Sequence, residues 1–141
     1  LMYGMGVLLV GTLFSVITGG SNSDTIVDLA SYKKTDVEKL VDSVQETLPI
    51  VYEDGQMLVF GVKYRKDENM VEFLQQIKDV DRDNFNWSQF KSENKPITIQ
   101  SYCTWDVYES LRAENVTLRL VAFDKDKYPI DFYNVNTEDC Y

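Results

Sequence analysis

The first twenty residues, LMYGMGVLLVGTLFSVITGG, contain no charged side chain, whereas all 14 Lys+Arg and 23 Asp+Glu of the 141-residue chain, a net charge of −9, fall after them. That division predicts two pieces, an apolar segment at 1–20 and a single domain at 21–141. An uncharged run of this kind approaches the roughly 20 residues that a bilayer-spanning helix requires. Its densest part, 7–17, is followed by Thr18, Gly19, Gly20 and Ser21, small residues of the type that precede a signal-peptidase cut. Three readings stay open: a cleaved signal peptide, a retained single transmembrane helix, and a buried core helix. The first two agree on export, and under the second the segment 24–35 is a short stalk between membrane and domain.

The domain reads as ordinary globular sequence, 44% hydrophobic and 26% charged over the whole chain, with no repeat and no low-complexity stretch. About 120 residues suffice for a stable core without a metal. Histidine is absent, which removes the usual general base near neutral pH, the commonest zinc ligand and the Ser-His or Cys-His nucleophile pair. No G-x-S-x-G elbow replaces them. Asp79, Asp81 and Asp83 open like a calcium loop, but Asn84 stands where the loop needs Gly and Phe90 where it needs a bidentate Glu. Asp124 and Asp126, beside Lys125 and Lys127, read as turn residues. The chain is therefore expected to be no enzyme and to carry no metal or cofactor. Its surplus acid repels phosphate backbones, which argues against nucleic acid, and attracts a cationic protein partner.

Cys103 and Cys140 are the two cysteines of the chain, and an even pair in an exported domain predicts one disulfide. The loop closed is just under 40 residues, for which chain entropy gives roughly 3–4 kcal/mol. A redox role is disfavoured, because neither neighbourhood supplies a C-x-x-C spacing or a cation to lower a thiol pKa. Asn86-Trp87-Ser88 and Asn115-Val116-Thr117 match glycosylation acceptors by chance in a chain of this length, and a bacterial source is expected.

Thr35-Asp36-Val37-Glu38 is a capping box, and Val37, Leu40, Val41, Val44 and Leu48 recur at helical spacing up to Pro49. A weaker helical turn is read at 25–32. Strands follow at 50–52 and 57–64 around Asp54-Gly55, a hairpin signal. Residues 70–80 fit a third strand better than a helix. The polar stretch 79–95 predicts a short helix or an ordered loop held by Phe85, Trp87 and Phe90, and 96–102 a brief extended segment delivering Cys103. Thr104 is read as the cap of a helix at 105–113, which Asn115 ends. Strands at 116–123 and 130–135 form a second hairpin.

This order predicts an α+β fold with a mostly antiparallel sheet of about five strands and helices on one face. Of nine Tyr and two Trp, Tyr52, Tyr64, Trp87, Trp105, Tyr108 and Tyr133 are the candidate partner-binding set, because such side chains combine an apolar body with a polar tip. Filling the edge of a small core is their other reading. The functional expectation is a non-enzymatic interaction domain of the cell envelope, periplasmic or membrane-tethered, whose aromatic sheet face, free of helices, and acidic rim bind another envelope or membrane protein. The alternatives are an acidic immunity or inhibitor protein that captures a basic toxin or hydrolase, and a carrier of a small apolar ligand.

Overall fold

Thr35 opens the first helix as the capping box demands: its hydroxyl accepts from the Glu38 amide at 3.2 Å while the Glu38 carboxylate accepts from the Thr35 amide at 2.9 Å. The computed structural model describes residues 34–52 and 55–141. The apolar segment at 1–20, the stalk before residue 34, the helical turn read at 25–32 and the Asp54 turn position lie outside the described residues. Helix α1, Asp36–Thr47, buries Val37, Val41 and Val44, and Leu48 leaves it in extended conformation ahead of Pro49, where α geometry is disfavoured.

Five strands follow: β1 Ile50–Val51, β2 Met57–Arg65, β3 Met70–Ile77, β4 Thr117–Phe123 and β5 Pro129–Val135. They lie side by side in chain order, antiparallel throughout except for the parallel pair β3–β4. A parallel pair needs a long crossover, and two helices supply it: α2, Trp87–Thr104, and α3, Glu109–Ala113. The α+β architecture expected from the sequence is thus present.

The register divides the sheet residues between two faces. The inner face carries Val59, Val62, Val71, Phe73, Leu118, Leu120, Tyr133 and Val135, which join Val37, Val41 and Val44 of α1 and Phe90 and Tyr102 of α2 in one core. A bulge in β2 places Phe60 and Gly61 together between Val59 and Val62, so both inward valines keep their side despite the extra residue.

Two local expectations are corrected. Residues 96–102 are not extended; they are the second half of α2, an 18-residue helix with Pro96 inside it. The helix was hidden because its buried side is largely polar: Phe90, Asn94, Thr98, Ser101 and Tyr102. The polar groups return hydrogen bonds to carbonyls one turn back, Asn94 to Phe90 at 2.9 Å, Thr98 to Asn94 at 3.1 Å and Ser101 to Ile97 at 3.1 Å, so they are buried without needing an apolar stripe. Thr104 is likewise no N-cap. It is the last residue of α2 and donates to the Gln100 carbonyl, after which a 3-10 turn at Asp106–Tyr108 leads into the short α3.

Cys103 therefore sits at the end of α2, where it is bonded to Cys140 in the 3-10 turn Thr137–Cys140 that follows β5, with Cα atoms 5.6 Å apart. Asn115 takes the left-handed conformation expected of a helix terminator, at φ 54°. Among the described residues no helix is long and apolar enough to cross a membrane.

Candidate functional site

The six aromatic residues of the candidate set do not come together on one surface. Tyr52, Tyr108 and Tyr133 are core residues; Tyr64, Trp87 and Trp105 are half-buried and pack against that core. Burial obliges the hydroxyls to find partners: Tyr52 accepts from Gln75 at 2.8 Å and Tyr133 shares a hydrogen bond with Thr98 at 2.9 Å. Trp87 lies beside Phe90 and Tyr133 at ring separations of 5.5 and 6.0 Å, and Trp105 beside Tyr108 at 6.4 Å. Desolvation pushes the Tyr108 and Tyr133 hydroxyls far above the ordinary tyrosine range, and Tyr102, which donates to the Val116 carbonyl, up to about 12.

The other face of the sheet carries no core helix among the described residues. Cross-strand neighbours arrange it in three rows: Lys63, Glu72, Arg119 and Asn134; then Gly61, Leu74, Val121 and Phe132; then Leu58, Gln76, Phe123 and Pro129, with Val51 beside Leu58. The first row is polar and the next two are mainly apolar. None of Leu58, Phe60, Leu74, Val121, Phe123 or Phe132 belongs to the core on the helix side, and Phe132 is 43% exposed.

Within this face the packing is local. The rings of Phe60 and Phe123 meet edge-to-face at 5.1 Å. Leu74 lies so flat over Gly61 that a Cβ added there would stand 2.9 Å from Leu74 Cδ1, so glycine keeps the middle row low. Lys127 Nζ sits 5.0 Å from the centre of the Phe60 ring.

The polar row is organised by one carboxylate. Glu72 is only 5% exposed and is held by Arg65 Nε at 2.9 Å and Arg119 Nη1 at 3.5 Å. A buried charge of this kind is tolerable because it is paired. The hydrogen bond from Arg65 to Glu72, more than their charge attraction, raises the Arg65 pKa. Arg119 also donates from Nε to the Asn134 side chain at 2.9 Å.

Sequence reasoning looked to a sheet face left open by the helices but named none of the residues that form it, although a signal for them existed. A strand with one solvated face should alternate apolar and polar residues, yet Val121 and Phe123 in β4, Leu74 in β3, Phe132 in β5, and Leu58 and Phe60 in β2 place apolar side chains on the supposedly polar side.

No protein-family model matches the chain, and no curated protein matches it. Its fold does have solved counterparts. It is similar to the pilotin EpsS of the Vibrio vulnificus type 2 secretion system, with a TM-score of 0.56 and 19% identity over 72% of this chain and 84% of that one. It is similar also to AspS, the type II secretion system pilotin of Vibrio cholerae, with a TM-score of 0.51 and 14% identity over 71% of this chain and 84% of that one. A third counterpart, a Pseudomonas aeruginosa protein described as secreted, has a TM-score of 0.58 and 15% identity over 74% of this chain and 89% of that one. At such identities the likeness is one of fold.

The acidic candidates dismissed as ligands have structural work. Asp81 accepts from the Asp83 amide at the start of a 3-10 turn. Asp124 is buried in the turn between β4 and β5 and accepts from three backbone amides, Tyr128 and Asp126 at 2.9 Å and Arg82 at 3.2 Å. Burial alone would raise its carboxyl pKa, and these amides outweigh it and hold the group below the usual range. Among the described residues no group of three or more Cys, Asp or Glu is placed to hold a metal ion.

Proposed function

We propose that this chain is a non-enzymatic accessory protein of the bacterial cell envelope that holds another envelope protein against the open face of its sheet. The observation that carries this reading is the composition of that face: Leu74, Val121 and Phe132 form an apolar row on a surface that no helix of the core covers among the described residues. Contiguous apolar surface rimmed by polar residues marks interaction sites in otherwise soluble domains. The shared fold with two type II secretion pilotins supports the compartment and the accessory role. The disulfide between Cys103 and Cys140 fits an oxidising location. In this reading residues 1–20 are the export signal or the anchor, and 21–141 the working domain.

The inhibitor reading draws on a different surface: Asp36 and Glu46 on the outer side of α1, where Asp42 is already paired with Lys34, would steer a basic partner. The carrier reading has less support, since Tyr52, Tyr108 and Tyr133 pack within the core. A photo-activatable residue at Phe132, compared with one at the exposed Glu46, separates the first two in the native host. Crosslinks to an envelope protein from position 132 support the open face, crosslinks from position 46 alone transfer the role to the acidic helix, and crosslinks from neither remove the proposal.

A further inference from the structure

A chain with a net charge of −9 invites a basic partner, but the charge is not spread evenly. At the open-face positions of the four long strands the cations are Lys63, Arg65 and Arg119, and the one acid is Glu72, with Glu68 of the following turn 3.8 Å from Arg65 at the end of the face. Glu72 is buried and bonded to both arginines, so it offers an incoming molecule no free carboxylate. Lys127 adds a fourth cation at the other end, above Phe60. The apolar middle row thus lies between cations on an otherwise acidic protein.

From this placement, and building on the interaction reading above, we infer that the open face receives an acidic amphipathic segment of its protein partner. Its apolar side chains cover Leu74, Val121 and Phe132, and its carboxylates face Lys63, Arg65 and Arg119 at one end and Lys127 at the other. A basic segment would set like charges against these cations while its apolar contacts were being desolvated, which opposes binding. An acidic one gains charge-assisted hydrogen bonds at the rim.

A protein segment suits the surface better than an anionic bilayer. Leu74 lies down on Gly61 and does not stand up from the sheet, and the guanidinium of Arg119 covers the Phe132 ring at 4.1 Å. The row is therefore low and part-covered. Insertion into lipid calls for apolar side chains that project beyond their polar neighbours, whereas a segment laid along the row brings its own side chains down to it.

The test uses the purified full chain and three synthetic amphipathic helical peptides of one apolar pattern, with Glu, Lys or Gln at the polar positions, together with phosphatidylglycerol vesicles. The Glu peptide is expected to bind at least about tenfold more tightly than the Lys peptide, with affinity falling as salt rises. Lys63→Gln, on an exposed side chain across from Glu72, and Val121→Asp should each weaken Glu-peptide binding severalfold, with near-ultraviolet circular dichroism confirming that both variants fold. Equal or tighter binding of the Lys peptide overturns the inference. So does Glu-peptide binding indifferent to both substitutions, and so does vesicle binding abolished by Val121→Asp, which would assign the face to lipid. Crosslinks from position 132 to a segment flanked by Lys and Arg would also overturn it while leaving the interaction reading in place; absence of any crosslink from 132 strikes that reading first.

Discussion

The guanidinium of Arg119 lies 4.1 Å from the centre of the Phe132 ring while its Nη1 reaches the buried carboxylate of Glu72. One side chain therefore joins the polar row of the open sheet face to its apolar row. Phe132 and its chain neighbour Tyr133 point to opposite faces, the first 43% exposed and the second 3%. Their substitutions should diverge accordingly. Phe132→Ala is expected to cost less than about 1 kcal/mol, chiefly the exposed cation–π contact. Tyr133→Ala should cost about 3–5 kcal/mol, since it opens a cavity in the core and removes one of the two hydrogen bonds of the Thr98 hydroxyl. Urea unfolding of both variants checks the pair, and equal losses would contradict the assignment of faces.

Removing Glu72 leaves Arg65 and Arg119 without the acceptor they share. Glu72→Ala is expected to lower stability by about 1.5–3 kcal/mol, the usual range for a hydrogen bond to a charged group, and to make the open face more cationic. Chemical denaturation gives the first quantity, and retention on a cation exchanger relative to the unmodified chain reports the second.

The link between Cys103 and Cys140 closes a loop spanning 37 positions. Cys103→Ser should remove roughly 3–4 kcal/mol by the chain-entropy argument and lower the Tm under oxidising conditions. Addition of reductant should bring the unmodified chain down to the variant. A variant Tm equal to that of the oxidised parent would show that packing of α2 against β5 already restricts the chain.

Three buried tyrosines set the alkaline limit. The hydroxyls of Tyr102, Tyr108 and Tyr133 titrate above their unfolded value of about 10, so the folded state retains protons that the unfolded state releases. Stability from these groups is complete below about pH 10 and is lost as pH rises through the folded values. Urea midpoints measured between pH 8 and pH 12 should fall steeply above 10. Tyr102→Phe, which loses the bond to Val116, should be less stable at neutral pH and show a shallower alkaline fall.

Asp124 works in the opposite direction. Its carboxyl is held below the usual range by the amides of Tyr128, Arg82 and Asp126, so its contribution is complete above about pH 4 and is lost as pH falls through the folded value. Asp124→Asn should reduce stability at pH 7 and flatten the acid limb of the stability profile. A parallel acid limb in both proteins would mean that other carboxylates dominate.

Much of the architecture was legible because it depends on near neighbours. The capping box at Thr35 and Glu38, the valine spacing of α1, the turn at Asp124 and the terminator Asn115 each specify local conformation within a few residues. Helix α2 was not legible across 96–102, because Pro96 and the buried Asn94, Thr98 and Ser101 contradict both propensity and apolar periodicity. Pro96 also withholds an amide from the helix.

The amino-acid sequence by itself determined an uncharged run ahead of a net-acidic remainder, the pairing of two cysteines and the strands and first helix, though not the run of α2 through 96–102. Those are properties of composition and short-range order. Which strands adjoin, and therefore which side chains share a surface, was decided only by the tertiary structure. Glu72 and Arg119 are 47 positions apart and meet because β3 and β4 run parallel in register. The same pairing sets Leu74 beside Val121, and that of β4 with β5 sets Val121 beside Phe132. Alternation along any single strand cannot say which face the helices will cover. That choice belongs to α1 and α2, which bury the larger apolar area on one side and leave a cation-rimmed apolar row on the other.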